Sequence, residues 1–207
     1  MKKDIIVYED DNIIVCNKPV GMPSQSDRTF EQDLVSYVLT HRTEQNEPAY
    51  AAIINRLDKP VGGLVLFAKN KKAAAGLSAV SGEHGIEKNY YALVKGSPCD
   101  KGEFTDYLLK DGKNNISTVT DKDTKGSKKA VLLYEKLGEK TIDGEKYSLM
   151  RVRLLTGRHH QIRVQFSHHG YPLYGDIKYN SDFRNRRDVS PALFAYHLSF
   201  KNPVGAD

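Results

Sequence analysis

The sequence predicts an α+β fold, a mostly antiparallel mixed sheet flanked by a few helices, and three observations predict it. Apolar or alternating runs of strand length recur along the chain, separated by clusters of Gly, Pro, Asn, Asp and Lys. Only three segments carry helical spacing. A hydrophobic share of 39% with 28% charged residues, over 207 residues, suits one ordinary globular core. No internal repeat or linker interrupts the chain, so residues 1–207 read as a single catalytic domain.

Residues 5–8 and 13–16 read as two strands joined by the acidic turn Glu9-Asp10-Asp11-Asn12, a hairpin signal. Two prolines and a glycine in Asn17-Lys18-Pro19-Val20-Gly21-Met22-Pro23 require a loop. Apolar Phe30, Leu34, Val35, Val38 and Leu39 fall on one helical face, with Thr29 as N-cap and Gln32 three residues on, so a helix is expected over 30–39, ended by the polar stretch 41–48. Residues 64–68 follow two glycines as a continuous apolar run, the mark of a buried strand. The alanine-rich stretch 71–80 predicts a helix. Residues 90–94, 102–109, 130–137 and 147–155 predict strands, and the polar stretch 110–129 a mobile surface excursion. The last helix is expected over 158–169, with Ile162, Val164 and Phe166 partly buried.

Composition narrows the function classes. Cys16 and Cys99 lie far apart with no ligand-like spacing, which fits reduced residues better than a disulfide framework or a zinc knuckle. The start, Met1-Lys2-Lys3-Asp4 before a three-residue apolar run, lacks the form of a secretory signal, and no apolar stretch nears the roughly 20 residues of a membrane span. A cytoplasmic protein with no membrane partner is the expectation. Charge is uneven: residues 1–50 sum to −4, whereas residues 151–187 hold eight basic groups against two acidic ones, a net of +6. Seven of those eight are arginines, whose planar fork suits phosphate. An anionic polymer and an unpartnered basic face fit that charge equally well.

Chemistry is concentrated in three runs. In Asn55-Arg56-Leu57-Asp58-Lys59-Pro60-Val61-Gly62-Gly63, a carboxylate sits in a turn between apolar runs, with cations on either side and glycines beyond. Taken alone, this fits a structural ion pair in a turn somewhat better than a site, since Asp, Gly and Pro are common in loops. In Thr156-Gly157-Arg158-His159-His160-Gln161-Ile162-Arg163, a strand ends at a glycine and basic groups crowd a helix start, an arrangement that attracts phosphate. His159, His160, His168 and His169 raise the question of zinc. Adjacent histidines on a helix diverge by roughly 100°, however, and no HExxH or clustered carboxylate accompanies them, so no metal is expected. The strand Lys88-Asn89-Tyr90-Tyr91-Ala92 presents tyrosines on opposite faces, one of which could stack on an extruded base.

In this order the three runs resemble the RluA-type family of RNA pseudouridine synthases. The chain shows the opening Ile13-Ile14-Val15-Cys16-Asn17-Lys18-Pro19-Val20-Gly21, then Arg56-Leu57-Asp58, Lys88-x-Tyr90-x-Ala92, and the run 156–163 with one free position at His159. The later Gly170-Tyr171-Pro172 and Gly175-Asp176 complete the match. The resemblance implies the pseudouridine synthase catalytic fold with a central RNA-binding cleft, a monomer, no cofactor and no metal. It implies structured ribosomal or transfer RNA as the partner and not DNA. By it, Asp58 is the catalytic carboxylate, Tyr90 stacks on the flipped uracil and Arg163 pairs with Asp58. Arg56 guides the flipped nucleotide or fills the stack, Leu193 forms an apolar wall, and Lys18, Arg158, His160 and Gln161 contact substrate. Asn55 stands where the family has His, Val61-Gly62-Gly63 where it has Thr-Ser-Gly, and Phe194 where His follows the leucine. The chain ends soon after Asn202-Pro203-Val204-Gly205, where relatives carry another strand, and residues 1–12 leave no room for the N-terminal RNA-binding domain of many relatives. A competing reading is a non-catalytic RNA-binding or ribosome-assembly factor on the same fold. A third is a metal-dependent nuclease using the histidines.

Overall fold

The structure is a computed structural model that describes residues 5–26, 31–82 and 85–201. Two compact units make up the chain, residues 1–86 with 198–207 and residues 87–197. The first contains β1 (Ile6–Glu9), β2 (Ile13–Lys18), α1 (Leu34–Glu44), β3 (Ala52–Ile53), β4 (Gly62–Ala68) and α2 (Lys71–Gly82). β2 runs antiparallel between β1 and β4, in register from Ile13 opposite Ala68 to Lys18 opposite Gly63, and β3 pairs with the end of β4. Buried on both faces, β4 shows the continuous apolar run expected of it. Ala73 and Leu77 of α2 close over Ile13, Leu66, Ala68 and Ile86 to form the core.

The second unit contains β5 (Ile86–Lys95), β6 (Lys101–Asp111), β7 (Ile116–Thr120), β8 (Lys128–Ile142), β9 (Glu145–Leu154), α3 (Gln161–His168), a 3-10 turn (Ser181–Phe183) and β10 (Leu193–Phe200), whose residues from Leu198 on belong to the first unit. The strand order β5-β9-β8-β6-β7 is antiparallel at each pairing, and β10 lies beside β5. Ile162, Val164 and Phe166 of α3 are buried against the sheet. Phe166 meets Phe104 edge-on at 5.1 Å, and the His169 ring lies flat on Phe104 at 3.9 Å.

Several expectations are corrected. Thr29 and Phe30 lie outside the described residues. The first helix runs Leu34–Glu44, capped by Asp33, whose carboxylate accepts from the Ser36 amide at 2.7 Å. It continues through His41 and Arg42, where a break was expected, because tertiary partners hold these polar residues. Arg42 is buried and donates to the carbonyls of Tyr50 and Lys69, and His41 contacts Glu9. The stretch 110–129 is not a structureless excursion: it includes β7, laddered to β6 from Tyr107 opposite Thr120 to Asp111 opposite Ile116. The third helix begins at Gln161 because His160 adopts the left-handed conformation, φ 54. That kink also stacks the His159 and His160 rings at 3.8 Å and 25°, where a helix would splay them. β3 and β10 were not foreseen as strands.

Candidate active site

In the first unit, the Asp58 turn is clamped on both sides through its backbone. β2 delivers Lys18 into the interior, fully buried, where its ammonium donates to the carbonyls of Pro19 (3.1 Å), Met22 (2.7 Å) and Lys59 (3.2 Å). The Gly21 amide also donates to the Lys59 carbonyl, at 2.9 Å, from a glycine at φ +89. On the other side, the Ser24 hydroxyl donates to the Leu57 carbonyl at 2.7 Å and accepts from the Leu57 amide at 3.0 Å. The turn closes on itself with the Val61 amide donating to the Asp58 carbonyl at 3.0 Å. Asp58 is half-buried between the two clamped residues. Burial pushes the Lys18 ammonium down to about 8, against the opposing pull of the Asp58 charge.

Asn55 explains one departure from the family pattern. Its side-chain oxygen accepts from the Leu66 amide at 2.8 Å and its nitrogen donates to the Leu64 carbonyl at 3.2 Å, so the buried amide extends the β3–β4 ladder by one side chain. Leu57 is buried and Arg56 exposed.

In the second unit, β5 alternates as expected: Tyr90, Ala92 and Val94 are buried, while Tyr91 faces out and stacks on Tyr196 at 3.9 Å. Lys88 lies at the other end of the motif, its ammonium pushed down by burial and standing 3.8 Å from where a Cβ on Gly157 would lie. Arg163, buried on α3, donates from Nε and a terminal nitrogen to both oxygens of fully buried Asp176, at 2.7 and 2.8 Å. The Lys178 amide also donates to that carboxylate, at 3.0 Å. Gly175 holds φ +73, and a side chain there would run into the Ser190 carbonyl, so the Gly-Asp pair is fixed by backbone geometry. The guanidinium stands 5.2 Å from the Tyr179 ring centre, and the Tyr179 hydroxyl pairs with His160 Nδ1 at 2.8 Å.

The turn before α3 is organised by Gln161. Its Oε1 accepts from the Thr156 hydroxyl (2.8 Å) and the Arg158 amide (3.0 Å), and its Nε2 donates to the Val131 carbonyl (3.1 Å). Arg158 donates from Nε to the Lys129 carbonyl and remains half-exposed. Leu193, at the start of β10, is buried. Of the residues expected to meet substrate, Lys18, His160 and Gln161 therefore have buried side chains engaged with their own loops, whereas Arg56 and Arg158 reach solvent. Sequence reasoning assigned no role to Ser24 or Tyr179, and neither carries a signal beyond residue type.

The four histidines of this run are engaged with different partners, although the His159 and His160 rings stack. His159 and His160 turn to β7 and Tyr179, while His169 reaches Asp106. Among the described residues, no group of three or more His, Cys, Asp or Glu side chains could hold a metal ion. No helix among them is long and apolar enough to cross a membrane. Chemically, the first unit offers a carboxylate on a fixed turn, and the second a buried tyrosine and an oriented guanidinium.

Residues 12–168, which include all three runs, match the family described as RNA pseudouridylate synthase. The chain is 34% identical over 191 residues to the tRNA pseudouridine synthase C of Haemophilus ducreyi, covering 88% of this chain and 76% of that protein. It is 32% identical over 213 residues to the ribosomal large subunit pseudouridine synthase D of Zymomonas mobilis, covering 96% of this chain and 65% of that protein. For the ribosomal large subunit pseudouridine synthase C of Rickettsia bellii, 34% identity over 180 residues covers 86% of this chain and 58% of that protein. In fold, it superposes on human RNA Pseudouridylate Synthase Domain Containing 1 with a TM-score of 0.80 at 22% identity, over 99% of this chain and 81% of that one. A matched segment that contains Asp58, Tyr90 and Arg163 with their motifs, together with relatives above 30% identity over most of its length, places the chain in the RNA pseudouridylate synthase family, of the RluA type.

Proposed function

We propose that the chain isomerises a specific uridine to pseudouridine in a structured ribosomal or transfer RNA, with Asp58 as the reacting carboxylate. The observation that carries this reading is the double clamp on Leu57 and Lys59, which holds the backbone on either side of Asp58 and so fixes where the residue stands. In the reaction the glycosidic bond from N1 breaks, the freed ring turns, a carbon–carbon bond joins C5 to the sugar, the C5 proton leaves to solvent and N1 takes up a proton. Attack on the sugar and proton abstraction are both open to a carboxylate in this role. Tyr90 stacks on the flipped uracil and Arg163 supports the carboxylate, with Leu193 as an apolar wall. Arg56 and Arg158 meet the RNA backbone, whereas Lys18, His160 and Gln161 act by shaping their loops, in keeping with their burial.

The names of the relatives, which act on transfer and large-subunit ribosomal RNA, support the substrate class. The reading carries with it a cytoplasmic monomer that needs no cofactor and engages neither DNA nor membrane. The assembly-factor alternative drew on Asn55, Val61 and Phe194; of these, the Asn55 amide has a full structural task on β4, so its presence does not speak for a lost activity. Mapping pseudouridine in RNA from cells with and without the gene tests the proposal. One or more positions should revert to uridine without it; an identical map would contradict the reading.

A further inference from the structure

Six lysines in the stretch 110–129, Lys110, Lys113, Lys122, Lys125, Lys128 and Lys129, are exposed, and none forms an ion pair among the described residues. Elsewhere in the same unit Lys95, Lys101 and Lys136 each meet a carboxylate, at 2.8, 3.1 and 2.7 Å. Three aspartates share the stretch. Asp111 is spent on its own turn, accepting from the amides of Lys113 and Asn114, and Asp121 and Asp123 leave a net charge of +3. Lysines on an edge strand can serve merely to block strand pairing. Here β7 is the edge strand, yet Ile116-Ser117-Thr118-Val119-Thr120 contains no lysine; Lys113, Lys122 and Lys125 sit in the turns at its two ends, Lys110 near the end of β6, and Lys128 and Lys129 at the start of β8.

The tip of this hairpin is also tied down. His159 contacts the Ser117 hydroxyl through Nδ1 and the Asn115 side-chain oxygen through Nε2, both at 2.9 Å. The Ser117 hydroxyl donates to the His159 carbonyl at 2.9 Å, and the Ser117 amide donates to the Tyr179 hydroxyl at 2.7 Å. Lys178 donates to the Asn115 carbonyl at 2.6 Å, with Asn115 held at φ 50. His159 is the one free position in the eight-residue motif, and here its side chain joins that motif to the hairpin.

We infer that the β6–β7 hairpin and the turn after it form an arm that grips RNA phosphates, and that His159 is a positioning residue fixing where the arm reaches. The inference rests on the RNA-modifying reading above. A latched arm presents its cations in one arrangement, so less freedom is lost on binding. It belongs to the substrate-binding step, and its signature is a change in KM with little change in kcat.

The test uses the full chain and uridine-labelled RNA from cells lacking the gene, with filter binding and tritium release measured in parallel. Changing Lys113, Lys122 and Lys125 together to alanine should weaken binding about 10-fold and lower the slope of log affinity against log salt by about 2, at roughly 0.7 per phosphate contact. His159→Ala should raise KM about 5-fold with kcat within 2-fold, and His159→Gln, which keeps polar atoms at the latch, should restore most of it. Affinity and salt slope unchanged in the triple variant overturn the arm. A fall in kcat alone in His159→Ala overturns the positioning role. Absence of tritium release by the unaltered protein fails the functional reading instead, and filter binding still decides the arm.

Discussion

The two regions that carry the candidate catalytic groups are held in different ways. Around Asp58, Lys18, Ser24 and Asn55 aim their side chains at backbone carbonyls and amides. Around Arg163, side chains also grip one another, Gln161 with Thr156, His160 with Tyr179, and Arg163 with Asp176, beside the backbone bonds that Gln161 and Asp176 make. A backbone-directed clamp is indifferent to the identity of the residue it holds, whereas a paired side chain demands its partner. Most departures from the family pattern follow that difference. Asn55 and Val61-Gly62-Gly63 fall in the first region, and residues 156–163 match throughout with His159 as the one free position, while Phe194 departs on β10 of the second unit.

The largest effect that would sharpen the contrast is in the second region. Asp176→Asn should destabilise the protein by about 3 kcal/mol or more in urea denaturation, because a buried guanidinium loses its charged, two-pronged partner. A cost under about 1 kcal/mol would break the claim that this region depends on side-chain pairs.

Lys18 offers the next test. Below pH 8 its ammonium is charged in the folded and unfolded chains alike, and the cost of burying it is fully present. Between about 8 and the unfolded value of about 10.4, the unfolded chain holds a proton that the folded chain has released, so stability from this group rises with pH. Relative to Lys18→Met, the unaltered protein should gain roughly 1.4 kcal/mol per pH unit in that window, read as the difference in unfolding free energy at pH 8.5 and 9.5. Equal changes in the two proteins would contradict a buried, depressed lysine. The smallest effect is expected at Asn55→His, which should leave kcat within about 3-fold. A loss of 100-fold would show that the clamp does discriminate among side chains.

The same distinction explains what could be read from the sequence. The run 156–163 and the Lys-x-Tyr strand were legible because their side chains have to be what they are. The strands β4, β5 and β9 followed from apolar patterning. Lys18 was not legible as a buried brace: a lysine between Asn17 and Pro19 reads as surface, and only the folded chain brings three carbonyls to it. β7 was missed because its apolar content is slight and its pairing with β6 supplies the order. β10, mixed in Tyr, His and Ser, gives no clear alternation. The helix α1 outran its expected end because Arg42 and His41 find partners distant in sequence.

The central claim is that the clamped turn presents Asp58 as the group on which the chemistry depends. Asp58→Asn is nearly the same size and leaves every backbone clamp in place. The variant should match the unaltered protein in unfolding midpoint and RNA binding while releasing tritium from C5-labelled uridine in RNA at least about 1,000-fold more slowly, on the order of 4 kcal/mol in the barrier. Tritium release at an undiminished rate by the folded variant would contradict it.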